Sequence, residues 1–100
     1  MQVNREINVI KRNLNQGQYS EAEKRAKNII KTFPNNFNGW EILGVIYSKT
    51  NRYKDAEEVL RKAIEFAPKA FSIWYNLAHS LKSVGDINGA IDGYKKCIEL

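Results

Sequence analysis

Apolar positions along the chain fall at helical steps. Phe37, Trp40, Leu43, Gly44 and Tyr47 recur at intervals of three and four and form one stripe on a helix that ends near Thr50. From Tyr53 to Ala67, the residues Ala56, Val59, Leu60, Ala63 and Ile64 form a second stripe. The same pair then returns as Trp74, Leu77, Ala78 and Leu81, followed by Ala90, Ile91, Tyr94, Cys97 and Ile98. Trp40 and Trp74 stand 34 residues apart, as do Pro34 and Pro68, and Ala56 and Ala90. Ala22 extends the alanine column one step back, and Tyr19 stands under Tyr53. No stretch alternates with period two, so no strand is expected. A period of this size marks a stack of similar units, each here a pair of helices.

The separators carry the same period. Gly17, Asn51 and Gly85 share a column, and Gly and Asn best tolerate the left-handed conformation that ends a helix. Pro34 and Pro68 share a later column, where proline stops the second helix and turns the chain into the next unit. Asn35 is positioned to cap the helix that follows, as is Asn38, with Glu41 three residues on. Gly44 and Ala78 on first helices, set against Ala22, Ala56 and Ala90 on second helices, are expected to let the backbones approach closely. By phase, Tyr19 and Tyr53 read as core.

Composition adds limits. The chain has 100 residues, 43% hydrophobic and 27% charged, enough apolar surface for one modest packed domain. No apolar run approaches the roughly 20 residues of a membrane span, and the first residues lack the basic-then-apolar pattern of a secretory signal. A single cysteine permits no internal disulfide, so a cytoplasmic location is expected. The net charge of +5 is uneven: residues 3–36 hold seven Lys/Arg against three acids, and residues 71–100 three against three. That basic first unit is read as a solvated helix surface; binding nucleic acid through it is the weaker alternative.

The columns Trp40, Leu43, Gly44, Tyr47, Ala56, Leu60, Ala63 and Pro68 resemble the tetratricopeptide repeat pattern, with Leu60 where Phe is usual. Trp74, Leu77, Ala78, Leu81, Ala90, Tyr94 and Cys97 match it nearly as well. The resemblance covers essentially the whole chain as one domain, residues 1–100, with repeats at about 3–36, 37–70 and 71–100. The first repeat is degenerate, with Glu6, Ile10 and Asn13 in the Trp, Gly and Tyr columns, and the last is shorter than 34 residues. A polar first unit is expected where an outer face has no neighbour. The resemblance implies an all-α, right-handed superhelical solenoid of antiparallel helix pairs, whose first helices line a concave groove for an extended peptide or a partner helix.

Carrying over the groove columns assigns Asn4, Ile7, Asn8, Lys11 and Asn15 from the first unit. The second supplies Asn38, Glu41, Ile42, Val45 and Lys49, and the third Ser72, Tyr75, Asn76, His79 and Ser83. Chaperone-tail binders of this family grip an acidic C-terminus with a clamp of Lys, Asn, Asn, Lys and Arg. The matching places hold Ile7, Lys11, Ile42, Ser72 and Asn76, so that carboxylate clamp is not expected. An asparagine ladder of the glycosyltransferase type would use the column Asn8, Ile42, Asn76, which supplies two of three rungs. His79 has no ligand-spaced Cys, Asp or Glu and reads as a groove hydrogen bonder, while Cys97 in the Ala63 column reads as a small packing residue. No catalytic, metal or cofactor site is expected.

The functional expectation is a non-catalytic module that binds a protein or peptide in its groove. The alternative is the substrate-adaptor region of a larger enzyme, glycosyltransferase- or sulfotransferase-like, with its catalytic domain outside this chain. At the far end, Ile91, Tyr94, Ile98 and Leu100 are expected to pack partly on the third unit's first helix, while the side carrying Cys97 meets a following repeat. The chain is therefore expected to be part of a longer array or to self-associate through its last helix.

Overall fold

The computed structural model of the protein describes residues 2–100. Six α-helices follow one another: α1 (Val3–Asn15), α2 (Tyr19–Thr32), α3 (Phe37–Lys49), α4 (Tyr53–Phe66), α5 (Phe71–Ser83) and α6 (Ile87–Glu99). Consecutive helices pack on each other, and α1 also touches α3, as α3 touches α5. The stack measures 38 × 24 × 19 Å. First and second helices thus form two layers, with α1, α3 and α5 side by side.

The turns within the pairs repeat one design. Gly17, Asn51 and Gly85 have φ of 70°, 61° and 89°, each in the left-handed region. After each of them the chain closes a Schellman motif. The next residue's N–H, from Gln18, Arg52 or Asp86, donates to the carbonyl five residues back, of Asn13, Tyr47 or Leu81, at 2.8, 2.7 and 2.9 Å. Orphan carbonyls of α1, α3 and α5 are thereby satisfied.

The turns between pairs use proline differently. Helices α2 and α4 end two residues before Pro34 and Pro68, and the proline carbonyls accept hydrogen bonds from Trp40 Nε1–H and Trp74 Nε1–H, both at 2.8 Å. The first unit has Glu6 in the Trp column, and its carboxylate takes Arg25 of α2 at 2.8 Å instead. The expected capping by Asn35 or Asn38 is corrected: Asn36 is the N-cap of α3, its Oδ1 accepting the Asn38 N–H at 3.0 Å. A side chain at that position reaches the second helical residue, whereas Asn38 already lies inside the helix.

The core runs the length of the stack as a ribbon. Ile10, Ala22, Ala26 and Ile29 give way to Leu43, Ile46, Leu60 and Ala63, and these to Ile73, Leu77, Leu81 and Ala90. Close approach within the pairs uses partners other than the expected alanines. A methyl group on Gly44 would stand 2.5 Å from Leu60 Cδ2, so it is Leu60, not Ala56, that fills the space over Gly44. In the third pair Ala78 instead faces Gly93, where an added Cβ would lie 2.9 Å from Ala78 Cβ. The third pair therefore keeps two opposed small residues, with Gly93 rather than Ala90 across from Ala78.

Three further expectations are revised. Tyr19 is 36% exposed and not core, while Tyr53 in the same column is half-buried, its hydroxyl donating to Asn51 Oδ1 at 2.9 Å. Ile98 is 85% exposed, and Ile91 and Leu100 are also exposed, so among these four only Tyr94 packs inward. Cys97 turns toward α5, where its Sγ lies 3.5 Å from the Phe71 carbonyl, so the open side of α6 is the one carrying Ile91 and Ile98.

Candidate functional site

The first helices leave a concavity of about 290 Å³ where α1 and α3 lie side by side. Ile7 and Leu14, seven residues apart on α1, face Ile42 and Val45 on α3, and Lys11, Asn38 and Glu41 complete the lining. Seven residues are close to two helical turns, which places Ile7 and Leu14 on one face with Lys11 between them. Ile42 is 8% exposed and belongs mainly to the core; only its edge reaches the concavity. The site is an apolar floor with one cation, one anion and one amide lining it.

Electrostatics divides the polar residues. Glu41 Oε2 accepts the Ser72 hydroxyl at 2.7 Å, a bond that ties α3 to α5 and holds the carboxylate in place. A second hydroxyl contact, Ser48 Oγ to Ser80 Oγ at 3.3 Å, joins the same two helices further along. Lys11 makes no ion pair among the described residues, and its ammonium is exposed. Ser80, fully buried, was not singled out from the sequence. Leu14 was also missed, although its spacing of seven from Ile7 was a legible signal.

The remaining groove candidates stand apart from this concavity. Asn8 is exposed on α1, and Lys49 is exposed as the last residue of α3; neither lines it. Tyr75 is 55% exposed, and its ring meets Tyr94 of α6 edge-on at 5.8 Å, so the side chain leans toward the end of the stack. Asn76 is half-buried on α5. His79 is exposed, with its ring edge-on to Tyr53 at 6.3 Å. The ladder column Asn8, Ile42, Asn76 is interrupted by the buried Ile42.

The basic residues of α2 lie elsewhere. Lys24, Arg25, Lys27, Asn28 and Lys31 share a shallow depression with Glu6 and Glu21. Arg25 pairs with both of those carboxylates, at 2.8 and 3.2 Å, and Lys27 pairs with Glu23 at 2.8 Å. Part of the formal charge of the first unit is therefore neutralised in place. Among the described residues, no group of three His, Cys, Asp or Glu could hold a metal ion, and no helix is long and apolar enough to cross a membrane.

Comparison with known proteins agrees with the architecture. Two tetratricopeptide repeat family models match, over residues 11–71 and 71–100. Human Superkiller complex protein 3 is 30% identical over 86 residues, which is 83% of this chain and 6% of that protein. A TPR repeat-containing protein of Methanocaldococcus jannaschii is 37% identical over 82 residues, 82% of this chain and 14% of its own length. The chain thus spans a small part of the curated relatives it matches. Among solved structures, the second TPR of Spaghetti (RPAP3), bound to an HSP90 peptide, superposes with a TM-score of 0.94 at 18% identity, covering all of this chain and 93% of that one. Six helices in three stacked antiparallel pairs, the turn chemistry and these matches make the chain an all-α, right-handed solenoid that belongs to the tetratricopeptide repeat family.

Proposed function

We propose that the protein is a non-catalytic interaction module that holds a protein or peptide segment along the α1–α3–α5 side. The observation that supports this reading is the concavity between α1 and α3, which combines an apolar floor with Lys11, Asn38 and Glu41. Such a surface suits an extended segment: an aliphatic side chain on Ile7, Leu14 and Val45, with hydrogen bonds to its backbone from the polar residues. Asn76 and His79 extend the polar lining on α5, and Tyr75 offers an apolar contact. Asn8 and Lys49 add polar contacts beside the concavity.

The Spaghetti domain carries an HSP90 peptide. For the present chain the proposed ligand is different, because Lys11 is the only cation among the five places that match a carboxylate clamp. Those places otherwise hold Ile7, Ile42, Ser72 and Asn76. The adaptor reading, with a catalytic domain elsewhere in a longer protein, predicts the same groove. The small share of its relatives that this chain spans favours keeping it beside the first reading.

The test is selection of peptides from a displayed random library, followed by titration against variants. Lys11→Ala and Asn76→Ala should each weaken binding by about 1–2 kcal/mol, and Val45→Arg should abolish it. Lys24→Ala with Lys27→Ala on α2 should change little, and the peptide SRMEEVD should not compete. Loss of binding in the α2 pair with retention in Val45→Arg would refute the groove.

A further inference from the structure

A cavity of about 240 Å³ lies on the side of the second helices, between α4 and α6, which both pack on α5 but not on each other. Trp74 and the buried Leu77 and Leu81 of α5 form its floor, and Gly89 and Gly93 of α6 form one wall. It is separate from the concavity between α1 and α3. Stacking of a further pair does not cover such a place. The equivalent groove in the second pair runs over α3 between α2 and α4, and α2 packs on neither α5 nor α6.

The second pair shows which group belongs there. Residues 34 apart occupy equivalent places, and the columns of Leu81 and Gly93 hold Tyr47 and Val59. Tyr47 is 6% exposed, and the Arg52 guanidinium covers its ring at 4.3 Å from the centroid. The ring reaches toward α2, where Lys27 is held above its ordinary pKa first by Glu23 and next by the Tyr47 hydroxyl. In the third pair each part is reduced. Leucine is shorter than tyrosine, and glycine replaces valine. Asp86, in the Arg52 column, turns instead to cap α6, accepting the Gly89 N–H at 2.9 Å. Arg61, in the Lys27 column, therefore faces the cavity rather than a ring.

We propose that this cavity is an anchor site for one tyrosine side chain of a partner polypeptide, flanked in that segment by acidic residues. The ring takes the place that Tyr47 holds in the second pair, over Trp74, Leu77 and Leu81, with its hydroxyl toward Arg61. Contact with the Trp74 ring adds to the burial of the apolar ring. The rim selects the flanking residues. Arg61 shares one carboxylate, Glu57, at 3.1 Å, and Lys96 stands 3.9 Å from Glu99 and 5.8 Å from the Trp74 ring centroid. Both cations keep donors for a further carboxylate. Asp92, also at the rim, makes no ion pair among the described residues and accepts a backbone N–H of the segment. The cavity is smaller than the roughly 300 Å³ at which sites for drug-sized ligands begin, and it suits a single aromatic anchor.

The probe is the capped peptide acetyl-Gly-Glu-Tyr-Glu-Gly-amide, titrated into the full nitrogen-15-labelled chain and followed by NMR. The indole N–H of Trp74 should shift saturably while that of Trp40 stays, the two being assigned with Trp40→Phe. Alanine in place of the peptide's tyrosine should abolish the shift. Leu81→Tyr fills the cavity with the ring found at Tyr47, so it should raise the Tm and abolish binding. Arg61→Glu, at an exposed position, should weaken binding about two- to fivefold. Val45→Arg, in the α1–α3 groove, should bind this peptide as the natural chain does, so failure of one site leaves the other standing. No saturable Trp74 shift at millimolar peptide overturns the proposal, as does undiminished binding of the alanine peptide or by a folded Leu81→Tyr. So do shifts centred on Ile7, Lys11 and Val45, which would place the peptide in the groove. Equal affinity for free 4-hydroxyphenylacetate would overturn it too, since the occupant would then be a small aromatic acid.

Discussion

Trp40 donates its indole N–H to the carbonyl of Pro34 at 2.8 Å, and this bond joins the first residues of α3 to the turn that precedes it. Proline has no N–H and ends α2, but its carbonyl remains an acceptor, and the indole is long enough to reach back six residues to it. The bond therefore sets the angle at which α3 leaves the turn, and Trp74 with Pro68 repeats it for α5. Trp40→Phe keeps an aromatic ring and removes the donor. Its expected cost is about 1 kcal/mol, read from urea denaturation as a lower midpoint with unchanged slope. A midpoint equal to that of the natural chain would show that the bond contributes nothing.

The contact between Gly44 and Leu60 leaves no room for a methyl group, since the added carbon would stand 2.5 Å from Cδ2 and 2.6 Å from Cγ of Leu60. Gly44→Ala should destabilise the protein by about 1–3 kcal/mol through overpacking. Leu60→Val in the same chain should recover part of that loss, although Leu60→Val alone removes a methylene. A double-mutant cycle would therefore show a coupling of opposite sign to the single effects. Strict additivity would mean that the helices separate rather than Leu60 moving.

Asn51 carries both a left-handed backbone and a bond from the Tyr53 hydroxyl. The two roles separate by substitution. Asn51→Ala loses both and should cost about 1–2 kcal/mol. Asn51→Gly keeps the backbone conformation and should cost distinctly less, as thermal unfolding of the two variants would report. Equal losses would assign the whole effect to the Tyr53 bond.

Glu23 links the first two helix pairs. The Lys27 ammonium, hydrogen-bonded at 2.8 Å, holds its carboxyl below the ordinary value; partial burial opposes this, and Arg52 at 2.8 Å adds to the lowering. The folded protein then binds fewer protons at this group than the unfolded chain does. Its contribution is fully present above the ordinary carboxylate range and is lost as pH falls through the lowered folded value. Urea midpoints measured from neutral to acid pH should fall less steeply in Glu23→Gln than in the natural chain. Identical acid limbs would remove Glu23 from the linkage.

Much of the architecture was written locally. Steps of three and four placed α3 and α4 within a residue or so, because helix faces are set by a 3.6-residue turn. Gly17, Asn51 and Gly85 marked the turns, because a left-handed φ is a property of single residues. The cap was misplaced, at Asn35 or Asn38 rather than Asn36. Neighbouring asparagines have similar propensity, and only the turn geometry decides whose oxygen faces the free N–H.

By itself, then, the sequence determined the period, the helix pairs, the turns and the family, all of which depend on residues close in the chain or on their repetition. Tertiary structure alone decided what each stripe meets. Ile64 and Ile98 stand in the same column with the same side chain, yet one packs against the core and the other lies open. Glu41 gained Ser72, and Tyr75 was drawn to Tyr94, through helices placed beside them by stacking. Periodicity specifies which way a side chain points, whereas burial depends on whether another surface lies across from it.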